Sequence, residues 1–310
     1  MKLYIKLLET YFILICSFIT FCASAQQDPQ YTQYMYNTMA INPAYAGSTG
    51  TLEATLLHRS QWVGISGAPE TQSFSAHTPL RNEKIGLGLS VVNDKIGPSS
   101  ELYLDGNFSY SLPLGYEKRL AFGLKAGFRM LDIDWSKGRF YDENDVLLNQ
   151  NISNQMKLAV GAGIYYYTDK WYVGFSVPSF IQNDYYDDVQ ESIDYDRLHY
   201  YLMGGYVFDL SPNLKFKPAF LVKAVNGAPL TADVSANFMI AEKFVIGGAY
   251  RTDDSVSILA GFQITKSFYL GYAFDYTVSQ LNKYNDGTHE FILRYQFTKN
   301  QSKIKSPRFF

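Results

Sequence analysis

The chain has 310 residues, a net charge of −2 and an isoelectric point near 6.1, a balance that excludes the strongly basic surface of a nucleic-acid binder. Mean hydropathy is −0.14, and beyond the first 25 residues no apolar run approaches the length of a membrane helix, which excludes a helical bundle in the bilayer. Aromatic residues make up 16% of the chain, skewed to 26 Tyr and 22 Phe against 3 Trp, as alternating membrane strands would produce.

Lys2 and Lys6 open a short basic stretch, residues 11–21 are almost wholly apolar, and Ala23-Ser24-Ala25 supplies a small-x-small cleavage site. Residues 1–25 are therefore expected to be a secretory signal peptide. The apolar run is shorter than the roughly 20 residues of a spanning helix, which disfavours an N-terminal anchor. Ile15 precedes Cys16 and Phe21 precedes Cys22, where lipidation requires a small residue, so a lipoprotein is rejected. Both cysteines fall inside the signal. The exported chain then has no disulfide, thiol nucleophile or thiolate ligand. It must be held together by burial or by closure of its own hydrogen bonding.

Residues 26–50 are rich in Tyr, Asn and Met and show no clean period. Three placements stay open for them: a periplasmic extension, a strand, or a piece folded into a lumen. From residue 51 a period of two takes over. Leu120, Phe122, Leu124, Ala126, Phe128 and Met130 alternate with Lys125, Gly127 and Arg129. Met156, Leu158, Val160, Ala162, Ile164 and Tyr166 alternate with Lys157, Ala159, Gly161, Gly163 and Tyr165. Phe268, Leu270, Tyr272, Phe274 and Tyr276 oppose Tyr269, Gly271, Ala273 and Asp275, and Phe291, Leu293, Tyr295 and Phe297 oppose Glu290, Arg294 and Gln296.

About fourteen such strands begin near residues 51, 71, 85, 101, 119, 156, 171, 198, 214, 230, 244, 256, 268 and 288, an even number of the kind closed bacterial barrels use. A soluble sandwich also alternates. Strands of about 9–11 residues with aromatics near their ends favour a bilayer-spanning barrel instead. Connections at residues 81–84, 168–170, 241–243 and 265–266 are tight, and those at 61–69, 133–154, 178–196 and 278–287 are long. Short turns face the periplasm in such barrels, which places both termini on that side. The expectation is an all-β, closed antiparallel transmembrane β-barrel over residues 51–298, followed by a basic tail, 299–310, carrying Lys299, Lys303, Lys305 and Arg308.

Three blocks of the first third carry a family resemblance. Asp28-Pro29-Gln30-Tyr31-Thr32-Gln33-Tyr34-Met35-Tyr36-Asn37 runs into Asn42-Pro43-Ala44-Tyr45-Ala46-Gly47-Ser48. Arg59-Ser60-Gln61-Trp62-Val63-Gly64 is followed by Gly67-Ala68-Pro69-Glu70-Thr71, and Ile85-Gly86-Leu87-Gly88 by Asn93-Asp94-Lys95-Ile96-Gly97-Pro98. In these blocks the chain resembles the PorP/SprF family. The resemblance implies a non-enzymatic protein of the Bacteroidota outer membrane, working with the type IX secretion and gliding-motility machinery. For some members it implies a large secreted adhesin as partner. It transfers no binding residue. The rival reading is a passive porin or nutrient channel.

The residues themselves offer little chemistry. His58, His77, His199 and His289 sit on separate strands without ligand spacing. Gly86-Leu87-Gly88 and Gly161-Ala162-Gly163 lie inside strands, where glycines relieve crowding on an inner wall or permit bending rather than cradle a nucleotide. The acidic stretches at 142–145 and 184–196 lack calcium-loop spacing. No catalytic, cofactor-binding or metal residue is assigned, and no cofactor. Alternation turns Asp105, Lys125, Arg129, Lys157, Lys215, Lys217, Asp233, Asp275, Glu290 and Arg294 inward, because a lipid-facing Arg or Lys costs about 2–4 kcal/mol at mid-depth. Both signs occur, which suits a pairing network filling the lumen. A selective pore is the alternative.

Overall fold

A computed structural model describes residues 29–115, 117–138, 151–181, 198–225 and 228–297. The signal region, the acidic stretches at 142–145 and 184–196 and the basic tail lie outside the described residues.

The strands follow one another around a ring. They are β1 (Glu53–Ser60), β2 (Glu70–Pro79), β3 (Ile85–Ile96), β4 (Ser99–Pro113) and β5 (Arg119–Ile133). Then come β6 (Ile152–Tyr167), β7 (Trp171–Val177), β8 (His199–Tyr206), β9 (Phe208–Ser211) and β10 (Leu214–Val225). The ring is completed by β11 (Thr231–Ile240), β12 (Phe244–Arg251), β13 (Ser255–Gln263), β14 (Phe268–Thr277) and β15 (Thr288–Gln296). The segments β8 and β9 are interrupted only at Val207, and both lie along β10, so they form one stave. All fourteen staves pair antiparallel with their chain neighbours, and β15 closes on β1 from Glu53↔Gln296 to Ser60↔His289. Closure joins the first and last strands of the sheet, as strands placed in hydrocarbon require.

The facing follows the alternation. Leu56, Leu124, Leu158 and Ile258 point outward, each more than half exposed, whereas their neighbours Thr55, Lys125, Ala159 and Leu259 are buried inside. Apolar side chains exposed all around a molecule would aggregate in water; here they make the lipid-facing band. One end of that band carries a girdle. Tyr166–Trp171, Phe216–Phe238, Phe244–Phe262 and Phe268–Tyr295 are cross-strand ring pairs with centroids 4.8–5.1 Å apart. All lie beside the tight turns at 168–170, 212–213, 241–243 and 264–267. The opposite end bears the longer loops, although Gly97-Pro98 and residues 252–254 are tight there too.

Residues 29–50 are not a strand and do not extend beyond the barrel. They fill the lumen as a chain of short turns: a 3₁₀ turn at Tyr34–Tyr36, one α-helical turn at Thr38–Ile41 and a second 3₁₀ turn at Pro43–Tyr45. Tyr31 to Ala46 are buried apart from Ala40. This corrects one expectation. The first strand does start at the short-turn end, but the segment before it runs through the barrel, so Tyr31 lies at the long-loop end. Tyr31–Gln33 contact Arg59, Arg251, Asp275 and Glu290, each within two residues of the long-loop end of its strand. Asn37 reaches mid-height at Ser73 and Ser75. Ala46 and Gly47 arrive near the short turns, beside Gly86 and His77.

Candidate functional site

The site is the seat of this lumenal segment. At its outer end a carboxylate receives backbone. Glu290, on β15, accepts the Thr32 amide at 2.9 Å through Oε2 and the Gln33 amide at 2.8 Å through Oε1. Arg59, on β1, donates to Glu290 Oε2 at 2.9 Å and to Thr32 Oγ1 at 2.8 Å, and its other nitrogen donates to Asp275 Oδ2 at 2.8 Å. The Thr32 hydroxyl in turn donates to Asp275 at 2.7 Å. One guanidinium thus ties two wall carboxylates and one segment hydroxyl together in a buried cluster. Such ions are costly to bury alone and are tolerated because each is paired and hydrogen-bonded. Beside them Arg251 binds Asp233 at 2.6 Å and donates to the Tyr31 carbonyl at 3.3 Å.

Below this clamp the contacts become smaller. Asn37 donates to Ser73 Oγ and accepts from Ser75 Oγ. Asn42, ahead of Pro43, is held extended as a pre-proline residue should be. Its amide nitrogen donates to the Ile164 carbonyl at 3.0 Å, and its oxygen accepts the Ala44 amide at 2.9 Å, capping the last turn. Ser176 and Ser109 donate to the carbonyls of Ile41 and Ala46 at 2.9 and 2.6 Å. His77 Nδ1 accepts the Gly47 amide at 3.2 Å, which leaves the ring proton on Nε2, facing Glu53 at 3.6 Å.

Glycines give the segment room. A Cβ on Gly86 would stand 2.1 Å from the Ala46 carbonyl oxygen, one on Gly123 2.1 Å from the Ala44 nitrogen, and one on Gly163 2.2 Å from Asn42 Oδ1. Gly88 meets the Met39 sulfur in the same way. The glycines of the Gly86-Leu87-Gly88 motif therefore do relieve crowding on the inner wall, and what they accommodate is this chain's own N-terminal segment.

Aromatic rings complete the packing. The Tyr36 and Tyr269 rings pack at a tilt with centroids 5.0 Å apart, with Arg294 over both rings at 5.4 and 5.2 Å and Lys217 5.7 Å from Tyr36. Burying a cation on ring faces recovers part of its lost hydration.

Of the charges assigned to the lumen by alternation, Asp275 and Glu290 belong to the clamp, and Lys217 and Arg294 lie over the tyrosine rings. Asp233 pairs with Arg251. Asp105, Lys125 and Arg129 form a separate cluster, with Asp105 bonded to both cations at 3.1 and 2.7 Å. Lys157 and Lys215 are half-buried on the same inward register. Arg59, Arg251 and Glu53 were not among the assigned charges, although each shares the inward parity of its strand. Their signal was present: Arg59 alternates with outward Leu56 through Leu57, and Arg251 follows buried Val245 by an even step. His58 and His289 lie away from the lumen wall, near Glu70 and Tyr272 respectively. Trp62 has a left-handed backbone and donates its amide to Thr288, in a loop that pairs Val63 with Gly287 and Asp286.

A family model described as type IX secretion system membrane protein PorP/SprF matches residues 23–295. The chain belongs to the PorP/SprF family. Each of the three blocks that carry the resemblance contributes to the lumenal segment or its seat: Tyr31–Gln33, Asn42 and Ala46 on one side, Arg59, Gly86 and Gly88 on the other. As a PorP/SprF protein the chain is a non-enzymatic component associated with type IX secretion, and it resides in the outer membrane. No match was found among curated proteins.

Solved structures share the fold. The Ralstonia pickettii toluene transporter TbuX is 9% identical with a TM-score of 0.53, over 84% of this chain and 92% of that one. The CymD monoaromatic hydrocarbon channel is 11% identical with a TM-score of 0.50, over 86% and 94%. At such identities the likeness extends to the barrel fold alone.

Proposed function

We propose that this barrel supports the export or surface attachment of a partner adhesin of the type IX machinery, and that it does so as a sealed barrel and not as a passive porin. The observation that carries the reading is the seat itself. A porin keeps a polar lumen open to water, whereas here the lumen is occupied by residues 29–50, with their backbone amides on Glu290 and their carbonyls on Ser109 and Ser176. Family membership supports the link to secretion. With the lumen occupied, the surfaces left for a partner are the loops and the two rims.

Two measurements on the native protein test this together. Purified from its own outer membrane, it is expected to bring secretion components and one large surface protein with it. In a planar bilayer it is expected to show no wide, steady conductance. A steady porin-like pore without co-purifying secretion proteins would overturn the proposal in favour of the channel.

A further inference from the structure

The lumenal segment is held differently at its two ends. At the inner end only residues 47–52 separate Ala46 from Glu53, the first residue of β1, so that end is tethered covalently to the wall. At the outer end the tie is made by side chains. It consists of the Glu290 carboxylate on two amides, the Thr32 hydroxyl between Arg59 and Asp275, and Arg251 on the Tyr31 carbonyl. We propose that the segment is a seal that opens outward. Its N-terminal end lies on the cell-surface side of the barrel, and loosening the Arg59–Asp275–Glu290 clamp frees that end while the inner end stays fixed. This inference goes beyond the role in secretion and does not depend on it.

The direction rests on three levels of contact. Arg251 is the last residue of β12, at the long-loop end, and it holds the Tyr31 carbonyl. Pro29 and Tyr31 line a cavity of about 50 Å³ with Val92, Tyr103 and Arg129, in the long-loop halves of β3, β4 and β5. From there the chain descends past Ser73 and Ser75 to Gly86 and His77 near the short turns. The long-loop end is the exterior in barrels of this kind.

The clamp is also of a releasable kind. Its contacts are charge-assisted hydrogen bonds, strong while water is excluded and weakened once water or a competing ion reaches them. A competitor for Arg59 or Glu290 meets the outer end of the segment first. The glycine-lined lower half, by contrast, carries no ion pair to the segment's backbone among the described residues; it is held by neutral hydrogen bonds from Ser109 and Ser176 and by backbone packed close against Gly86 and Gly123.

The test uses the full-length protein in its own outer membrane. An epitope is inserted at Pro29, and the same epitope at Tyr284 in a long loop and at Lys243 in a short turn serves as outer and inner reference. Antibody is expected to label intact cells at Pro29 and Tyr284 and not at Lys243. Labelling at Pro29 only after permeabilisation, as at Lys243, overturns the proposal, and so does its absence in both states. Should the insertion abolish heat-modifiable folding, Gln30→Cys with a membrane-impermeant maleimide reports the same topology once Cys16 and Cys22, the chain's only other cysteines, are replaced by serine. The clamp is read with the same probe. Glu290→Gln is expected to raise maleimide reactivity at Gln30→Cys several-fold on intact cells, and an unchanged rate overturns the clamp's role in holding the seal.

Discussion

Glu290 and Thr32 stand 258 positions apart in the chain, yet the Glu290 carboxylate accepts the Thr32 amide at 2.9 Å, with both residues buried. The last strand of the barrel thereby holds the segment that precedes the first. Closure of β15 on β1 brings Glu290 opposite Arg59, and Arg59 supplies the cation that makes a buried carboxylate tolerable at this depth.

Removing that carboxylate should be costly. Glu290→Ala leaves two segment amides without an acceptor and Arg59 with one carboxylate in place of two. Breaking a buried, hydrogen-bonded ion pair costs about 3–5 kcal/mol. Glu290→Gln keeps an acceptor oxygen and is expected to lose less. Urea unfolding of the purified protein in lipid vesicles measures both, and equal stability of Glu290→Ala and the parent would contradict the role assigned to this residue.

Gly86 and Gly106 separate seat from wall. A Cβ on Gly86 would lie 2.1 Å from the Ala46 carbonyl oxygen, whereas one on Gly106 meets nothing closer than 3.7 Å. Gly86→Ala should displace the segment and let ions through, with the barrel still folded. Gly106→Ala should behave as the parent does. Single-channel recording of the two variants decides, and matching traces would mean that the segment does not seal against β3.

The facing of β6 gives a third prediction. Leu158 is 58% exposed on the outer surface, and its neighbour Lys157 belongs to the inner register. Leu158→Arg should impair assembly, by about 2–4 kcal/mol at mid-depth. Lys157→Ala should be accepted. The heat-modifiable fraction in the outer membrane is the readout, and equal yields of the two variants would refute the facing.

Deleting residues 29–48 tests the seal as a whole. The wall strands pair with one another and not with the segment, so the barrel should still close. Lumenal Arg59, Asp275 and Glu290 would then be hydrated, and conductance should rise from near zero to a stable open level. A shortened protein that folds and stays closed would show that the lumen is blocked by something else.

Much of the fold was legible because it is written in a local period. Leu124 and Lys125, or Leu158 and Lys157, differ in facing simply because successive residues of a strand point to opposite sides, and lipid on one side makes the apolar choice unmistakable. Strand starts at 85, 119, 171, 214, 244, 268 and 288 coincide with the structure for the same reason. Inward charges such as Asp275 and Glu290 were legible as well. Arg59 and Arg251 obey the same parity and went unassigned.

What only the tertiary structure decided is where residues 29–50 go and what the inward charges do there. The segment has no period, because its turns are imposed by the cavity that receives it. Its partners come from strands at both ends of the chain, Ser73 and Arg59 near the beginning, Asp275 and Glu290 near the end. The sequence by itself determined a closed barrel with charges inside. Ring closure decided which charges meet, because it alone brings β1, β14 and β15 around one point and leaves the Glu290 carboxylate facing the amides of Thr32 and Gln33.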